Sequence, residues 1–384
     1  MKIHIKTPSR LHFTLIDENG SLGRVDGGIG LAISEPNFEI IVYDRYSIIN
    51  GEELNILEKH QNDLNKNEIK NSIIFNTEFG NILISILNGD PKEWSIILHT
   101  IKDISINFIK NLKIYLSNKD FKINNNWLDK FPLKIELLGY LLPHIGFGSK
   151  TQMSLAIGTA ISKLIEIDLD IITLTELLGR GGTSGIGFRA FEYGGFIFDC
   201  GHRFGINKEK NTFLPSSASK AKPARTILRY DFPEDWDILI IGLNVPAGAS
   251  NIEEINIFQK YCPISLNEVE KVSHLIITKV LPGIIEKDLD EFGYGINQIQ
   301  KLGFKKIEVQ LQHEKVKQLM NDLLYYGSKC VGMSSFGPII YSIYDNKDVL
   351  ENSLNKIKGK YNSIGFKYYI TKANNMGAKI EIIK

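Results

Sequence analysis

No stretch limits how this chain can fold more than Gly181–Gly195, which runs G-G-T-S-G-I-G-F-R-A-F-E-Y-G-G. Six of these fifteen residues are glycine, and Thr183 and Ser184 stand among them. A loop with so few Cβ atoms lets its backbone approach a ligand closely. Phe188–Tyr193 reads as a short helical turn, and Gly194-Gly195 leads into an apolar strand, Phe196–Phe198. Gly182, Thr183 and Ser184 are therefore candidate binding residues, in the loop that precedes this helical turn.

The 384 residues are enough for two domains. A net charge of +1 supplies no global field for nucleic acid, so any anion must be held by local charges. Of the 45 basic residues, 37 are Lys and 8 are Arg. Six of those Arg (Arg10, Arg24, Arg180, Arg189, Arg203 and Arg225) lie in or beside the motifs described here. Where lysine serves the ordinary surface, scarce arginines point to a need for the planar, bidentate guanidinium. Cys200, Cys262 and Cys330 are isolated, which argues against a disulfide framework or a zinc site and fits a reducing cytoplasm. MKIHIKTPSR has no apolar leader, and no run reaches the length of a spanning helix. The expectation is a soluble, cytoplasmic protein with small-molecule substrates and neither a membrane nor a nucleic-acid partner.

Along the chain, Ile3–Ile5 and Leu11–Leu15 read as strands separated by Thr7-Pro8-Ser9. Arg10 and His12, two apart, share a strand face. The turn Asp17-Glu18-Asn19-Gly20 precedes G-R-V-D-G-G-I-G, so a hairpin would gather Asp17, Arg24 and Asp26 at one end. Leu133–Leu142 reads as a strand, followed by Pro143-His144-Ile145-Gly146-Phe147-Gly148-Ser149-Lys150-Thr151-Gln152 and then an amphipathic helix on Met153, Ile157, Ala160, Ile161 and Leu164. Strand, Gly-rich turn and helix together aim backbone N–H groups and a positive dipole end at an anion. The spacing is not the Walker pattern.

Further on, Thr173 with Glu176 suggests a capping box. Asp199-Cys200-Gly201-His202-Arg203 offers Asp199 or His202 as ligand contacts, with Cys200 a small buried residue. Leu214–Arg225 reads as a linker or mobile loop, Trp236–Val245 as a strand and 246–250 as a turn. Glu253 and Glu254 read as acids favouring a helix N-terminus. Residues 256–310 read as helical scaffold, and Val316, Leu319, Met320, Leu323 and Leu324 as one helix face. Ser334 and Ser335 lie in a Gly- and hydroxyl-rich turn before the strand Ile339–Tyr344. Residues 45–130 carry no catalytic constellation, only a core stripe of Ile97, Ile101, Ile104 and Phe108.

The organising loop resembles the S-G-I-D-N-x-x-x-x-x-G-G segment of the kinases named for galactose, homoserine, mevalonate and phosphomevalonate. Ser184, Gly185, Ile186, Gly194 and Gly195 match it, while the catalytic Asp position is Gly187. The turn at Gly146–Lys150 resembles that superfamily's phosphate loop, with Lys150 for its second serine, and Gly332–Pro338 resembles its third motif. T-P-S-R-L-H-F-T-L-I-D followed by G-R-V-D-G-G-I-G resembles the opening of the archaeal β-ribofuranosylaminobenzene 5′-phosphate synthases, members of that superfamily.

The resemblance implies an α+β, GHMP-kinase-like fold. Its parts would be an S5-like N-terminal domain over 1–205, with an insertion at about 45–130, and a ferredoxin-like domain over 206–384. It implies phosphoribosyl transfer from phosphoribosyl pyrophosphate to 4-aminobenzoate or 4-hydroxybenzoate, with loss of pyrophosphate and CO2. The catalytic candidates are then Asp17, Arg24, Asp26 and Lys150, with Mg²⁺ on Asp17 or Asp26. The binding candidates are Ser9, Arg10, His12, Gly146, Gly148, Ser149, Thr151, Gln152, Arg180, Gly182, Thr183, Ser184, Arg189, His202, Ser334 and Ser335, in a homodimer. A kinase with its base moved to Asp199 or Asp26, and a non-catalytic nucleotide or phosphoribosyl pyrophosphate binder, remain alternatives.

Overall fold

The computed structural model describes residues 1–48, 71–119, 130–216, 218–246 and 252–383. Residues 247–250 of the turn expected at 246–250 and parts of the 45–130 stretch lie outside them.

Everything is laid against one long hairpin. Strand β1 (Lys2–Asp17) pairs antiparallel with β2 (Arg24–Tyr43), with register shifts between Thr7 and Ser9 and between His12 and Thr14. The two short strands expected on either side of Thr7-Pro8-Ser9 are thus one. The Pro8 interruption is absorbed by a bulge, where a missing N–H breaks no ladder bond. Strands β3 (Ser72–Thr77) and β4 (Gly80–Ile86) form a second hairpin. Helix α1 (Pro91–Asn118) follows, then β5 (Leu133–Gly139), which lies parallel to β4 and antiparallel to β2. Within this part of the 45–130 stretch, Ile97, Ile101, Ile104 and Phe108 are buried as expected. The hairpin and α1 belong to the same core as Ile3, Phe38 and Ile157.

Helix α2 (Ser149–Leu164) is buried on nearly every side, not along the single face its apolar residues suggested. Ser154, Thr159 and Ser162 go inside with it. Helix α3 (Ile171–Leu177) is capped by Asp170, which accepts from the N–H groups of Ile172 and Thr173, so the cap lies earlier than Thr173. Helix α4 (Ile186–Tyr193) and β6 (Phe196–Asp199) follow the glycine loop as expected. Gly30 of β2 makes α4's close approach possible: a Cβ there would lie 2.6 Å from the Ile186 side chain.

Two short strands, β7 (His202–Arg203) and β8 (Thr226–Tyr230), complete this face by pairing with β2 and β6. The second sheet is antiparallel, in the order β10–β11–β9–β12, from β9 (Asp237–Leu243), β10 (Cys330–Met333), β11 (Ile340–Tyr344) and β12 (Phe366–Thr371). The intervening helices are α5 (Ile252–Tyr261), α6 (Leu266–Leu275), α7 (Leu281–Ile285), α8 (Leu289–Ile299), α9 (Gly303–Gln310) and α10 (Glu314–Tyr325), with α11 (Lys347–Tyr361) after β11. The last strand, β13 (Lys379–Ile383), returns to pair with β1. Because β8 and β13 both join the first sheet, pairing does not divide at residue 205: the second sheet starts at Asp237 and the chain ends back in the first. All three cysteines are free. Among the described residues no helix is long and apolar enough to cross a membrane.

The two sheets share a core. Leu11, Phe13, Ile29 and Leu31 of the hairpin pack with Trp236, Phe292 and Tyr341 of the second layer. Phe292 is the keystone, its ring centroid 6.1 Å from Phe13, 5.5 Å from Phe232 and 5.7 Å from Trp236. Phe292→Ala is expected to cost about 3–5 kcal/mol through the cavity it leaves. A denaturant titration checks this, as a lower midpoint at unchanged slope.

Candidate active site

The cleft is built where three distant stretches are stitched together. The Arg10 N–H donates to Phe147 O (3.0 Å), and its guanidinium donates to Gly146 O (2.7 Å). The Ser334 hydroxyl donates to the same carbonyl (2.7 Å) and accepts from the His12 N–H (2.9 Å). The Ser335 N–H donates to His12 O (3.1 Å). The turn at Ser334–Pro338 therefore closes on the Gly-rich turn. Gly148 ends that turn at φ +68°, and a Cβ on it would lie 2.9 Å from the Arg10 side chain. No side chain caps α2. Its first N–H groups are those an α-helix leaves without intrahelical partners, at its positive dipole end.

Around this helix end stand Lys150, His144, Thr151 and Arg180, the last donating to the Thr151 hydroxyl (3.1 Å). With Arg10 they line one open cleft. Burial, and then Arg180, lowers the Lys150 ammonium below its usual value. Burial lowers Arg10 to about 10, with Arg180 acting in the same direction against Glu308. His12 is driven well below the usual imidazole value by burial, then by Arg10 and Lys305, so it is neutral at pH 7. Crowded, partly desolvated cations of this kind are relieved by an anion.

Gly181, Thr183, Ser184 and Gly187 of the organising loop form another wall. Gly187 faces Thr151, whose Cγ2 would be 3.1 Å from a Cβ at 187. The position of the kinases' catalytic acid is thus in the cleft and carries no side chain. Pro215 and Ser216 close the rim. Their segment is neither a linker nor loose at this edge: Thr183 donates to Leu214 O (2.8 Å), and Ser219 to Gly182 O.

Several expected residues lie behind the cleft. Asp26 is the Cα partner of Asp17 in the hairpin, as anticipated, but its carboxylate is fully engaged inside the fold. Lys210 donates to both of its oxygens (2.8 and 3.0 Å), and His202 Nδ1 pairs with Oδ2. Asp17 accepts from the Asn19 and Gly20 N–H groups, forming a turn. Asp26 does not fit the Mg²⁺ ligand expected of it, and Asp17 is not part of the cleft lining. Arg24 donates to Cys200 O and Gly201 O, and half-buried Cys200 is not the buried residue expected. Arg189 pairs with Glu192 and lies over Phe188. His202 donates or accepts only at Asp26 and Lys222 O. Asp199 is buried, accepting from the Gly185 (2.9 Å) and Gly201 (3.0 Å) N–H groups; burial pushes it up to about 7 against those donors. Gln152 is buried and donates to Gly187 O, Ser9 is buried in β1, and Gly182 packs on Ser219.

Sequence reasoning missed the apolar wall of Leu15, Phe258 and Phe336, and the acids Glu254 and Glu308. Phe258 and Glu254 fell in segments read as scaffold and helix cap; their i, i+4 spacing on α5 was the available signal. Leu15 lies five residues beyond Arg10 on β1, and both line the cleft.

Comparison with known proteins places this geometry. Residues 280–363 match the model described as GHMP kinases C terminal. The chain is 42% identical to a β-ribofuranosylphenol 5′-phosphate synthase of Methanocaldococcus jannaschii over 98% of this chain and 99% of that one. It is 37% identical to a protein of the same name from Archaeoglobus fulgidus, over 99% and 100%. The chain belongs to this synthase family. It is a pentosyltransferase by that membership. Homoserine kinase of Cytophaga hutchinsonii (TM-score 0.58, 14% identity, covering 99% and 97% of the two chains) and mevalonate kinase of Methanococcus jannaschii (TM-score 0.57, 14%, 97% and 98%) share the fold. The chain therefore has the expected α+β, GHMP-kinase-like fold.

The buried Asp26–Lys210 pair gives a stability test. Asp26→Asn leaves an uncompensated ammonium inside the fold and is expected to cost about 3–5 kcal/mol. Exposed Arg24→Lys should stay within about 0.5 kcal/mol. Chemical denaturation of both variants checks the contrast.

Proposed function

We propose that the enzyme transfers the phosphoribosyl group of phosphoribosyl pyrophosphate to 4-hydroxybenzoate, with 4-aminobenzoate as the other acceptor of the same shape. A bond forms from ribose C1′ to the ring carbon bearing the carboxylate, and pyrophosphate and CO2 leave, a step of tetrahydromethanopterin biosynthesis. The relatives' names specify a phenol product, which favours the hydroxy acid.

The observation that carries this reading is that one cleft is lined by both cations and an apolar wall. A helix N-terminus with Arg10, Lys150 and Arg180 lines the same cleft as the apolar side chains of Leu15, Phe258 and Phe336, and Gly187 is part of that lining. Departure of pyrophosphate leaves an oxocarbenium-like centre, so the leaving group's growing charge needs fixed donors. Lys150 and the N–H groups of α2 supply them, and Arg180, held on Thr151, orients the anion. Mg²⁺ accompanies pyrophosphate as its counter-ion in this proposal. Asp17 and Asp26 do not supply its ligands, and among the described residues no three His, Cys, Asp or Glu side chains gather as a metal site. Such an ion is often held by phosphate oxygens and water.

A displaced kinase base has little support, because Asp26 and Asp199, the two acids available for it, are both fully buried away from the cleft. A binding protein without turnover would need no apolar ring wall beside its anion site. A homodimer is the proposed assembly, read by light scattering on the same preparation.

The test is turnover with Mg²⁺ and without ATP. Equal amounts of pyrophosphate and CO2 are expected from phosphoribosyl pyrophosphate with 4-hydroxybenzoate. No release, together with ADP formation from ATP and a small alcohol, would return the protein to the kinases.

A further inference from the structure

Two carboxyl groups line a cleft whose proposed substrates are both anions, and the chemistry above uses neither. Glu308 is accounted for inside the fold. It is buried against the equally buried Lys305, whose ammonium also donates to Met333 O and Ser335 O (both 3.3 Å). Glu254 makes no hydrogen bond or ion pair with another described residue. It sits half-buried in the first turn of α5, and Phe258 lies four residues on, so carboxyl and ring share one helix face. Both line the cleft with Leu15 and Phe336.

As a carboxylate beside the ring wall, Glu254 repels the carboxylate of a bound benzoate and turns that end of the arene away from itself. Its para substituent is then the part left to face Glu254. We propose that Glu254 takes the proton of that para-hydroxyl as the carbon–carbon bond forms and returns it as CO2 leaves. This rests on the synthase reading above. In the first step the O–H bond breaks and its proton passes to the Glu254 carboxylate. The O–H electron pair becomes the C4=O π bond, ring electrons form the bond from C1 to C1′, and pyrophosphate departs with the C1′–O pair. In the second step the bond from C1 to the carboxylate breaks. Its electrons restore the aromatic ring, and the phenolate oxygen recovers the proton from Glu254.

The surroundings suit a group that must both accept and donate. Burial, then Glu308 from α9, pushes Glu254 up to about 7, while Arg10 from β1 and Arg180 from the loop before Gly181 pull it down. His12, His144 and Lys150 complete the titratable lining of the cleft. A general base with its pKa near the working pH is the efficient one.

The experiment is steady-state release of pyrophosphate and CO2 by wild type, Glu254→Gln and Glu254→Asp. The substrates are phosphoribosyl pyrophosphate, Mg²⁺ and either 4-hydroxybenzoate or its more acidic 3-fluoro derivative. Glu254→Gln is expected to lower kcat by about 10²–10⁴-fold, the usual contribution of a general base. Its KM for phosphoribosyl pyrophosphate should stay within about twofold, as for loss of an interaction made only in the transition state. The fluoro substrate should recover part of the loss. Because the carboxylate form is the active one, the wild-type rate should fall as pH drops below about 7. That limb should vanish in Glu254→Gln and persist, displaced, in Glu254→Asp. Thermal midpoints matching wild type exclude unfolding as the cause. Equal losses with both phenols, an unchanged kcat, or recovery by added Mg²⁺ would each overturn the proposal. A wild-type enzyme that releases no pyrophosphate would instead sink the synthase reading itself.

Discussion

The carbonyl of Gly146 accepts two hydrogen bonds, from the Arg10 guanidinium and the Ser334 hydroxyl. Those three residues come from β1, the turn before α2 and the turn after β10, so one backbone oxygen fixes how the hairpin, the first helix layer and the second sheet meet. Each partner is itself held. Ser334 also accepts from His12, and Arg10 is wedged against Gly148, where only glycine fits. Such a point is expensive to disturb, because a buried carbonyl or hydroxyl left without its partner loses its solvation and regains nothing. The N-terminus of α2 is thereby aimed at the cleft without a capping side chain in the way.

Charge in this fold is divided between two places with opposite logic. Behind the wall, Asp26, Lys210 and His202 satisfy one another and hold the segment before Leu214, which in turn carries Pro215 and Ser216 to the rim. In the cleft, burial and then the neighbouring Arg180 lower Lys150, while on Arg10 burial and Arg180 act against Glu308 and Glu254. A kinase scaffold has to hold a polyphosphate and activate a hydroxyl. In the proposed reaction, glycine at 187 leaves no side chain there to activate a hydroxyl, and the apolar wall of Leu15, Phe258 and Phe336 is where the arene acceptor is proposed to lie.

Much of this was readable from the chain because the signals were local. Glycine spacing, strand alternation and helix periodicity placed β6, α4, α2 and the Gly146–Gln152 turn close to where they are. The same logic failed where the partner is distant in sequence. Asp26 looked like a free acid in a glycine turn; Lys210, far along the chain, consumes it. Arg189 and Arg24 carried the right chemistry, but a neighbouring Glu192 and the Cys200 and Gly201 carbonyls hold them elsewhere. Glu254 suffered the opposite error: a local reason for an acid in a helix's first turn was sufficient and hid the cleft it faces. Pro8 suggested a break, yet a bulge carries the strand through it.

The central claim is that the stitch at Gly146 prepares the anion site, and pyrophosphate affinity of Ser334→Ala by calorimetry tests it most directly. Ser334 is fully buried and does not line the cleft, so it affects binding only through the turns it joins. The account predicts at least about tenfold weaker binding, the equivalent of roughly 1.4 kcal/mol, with the fold intact by circular dichroism. Wild-type affinity in that variant would contradict it.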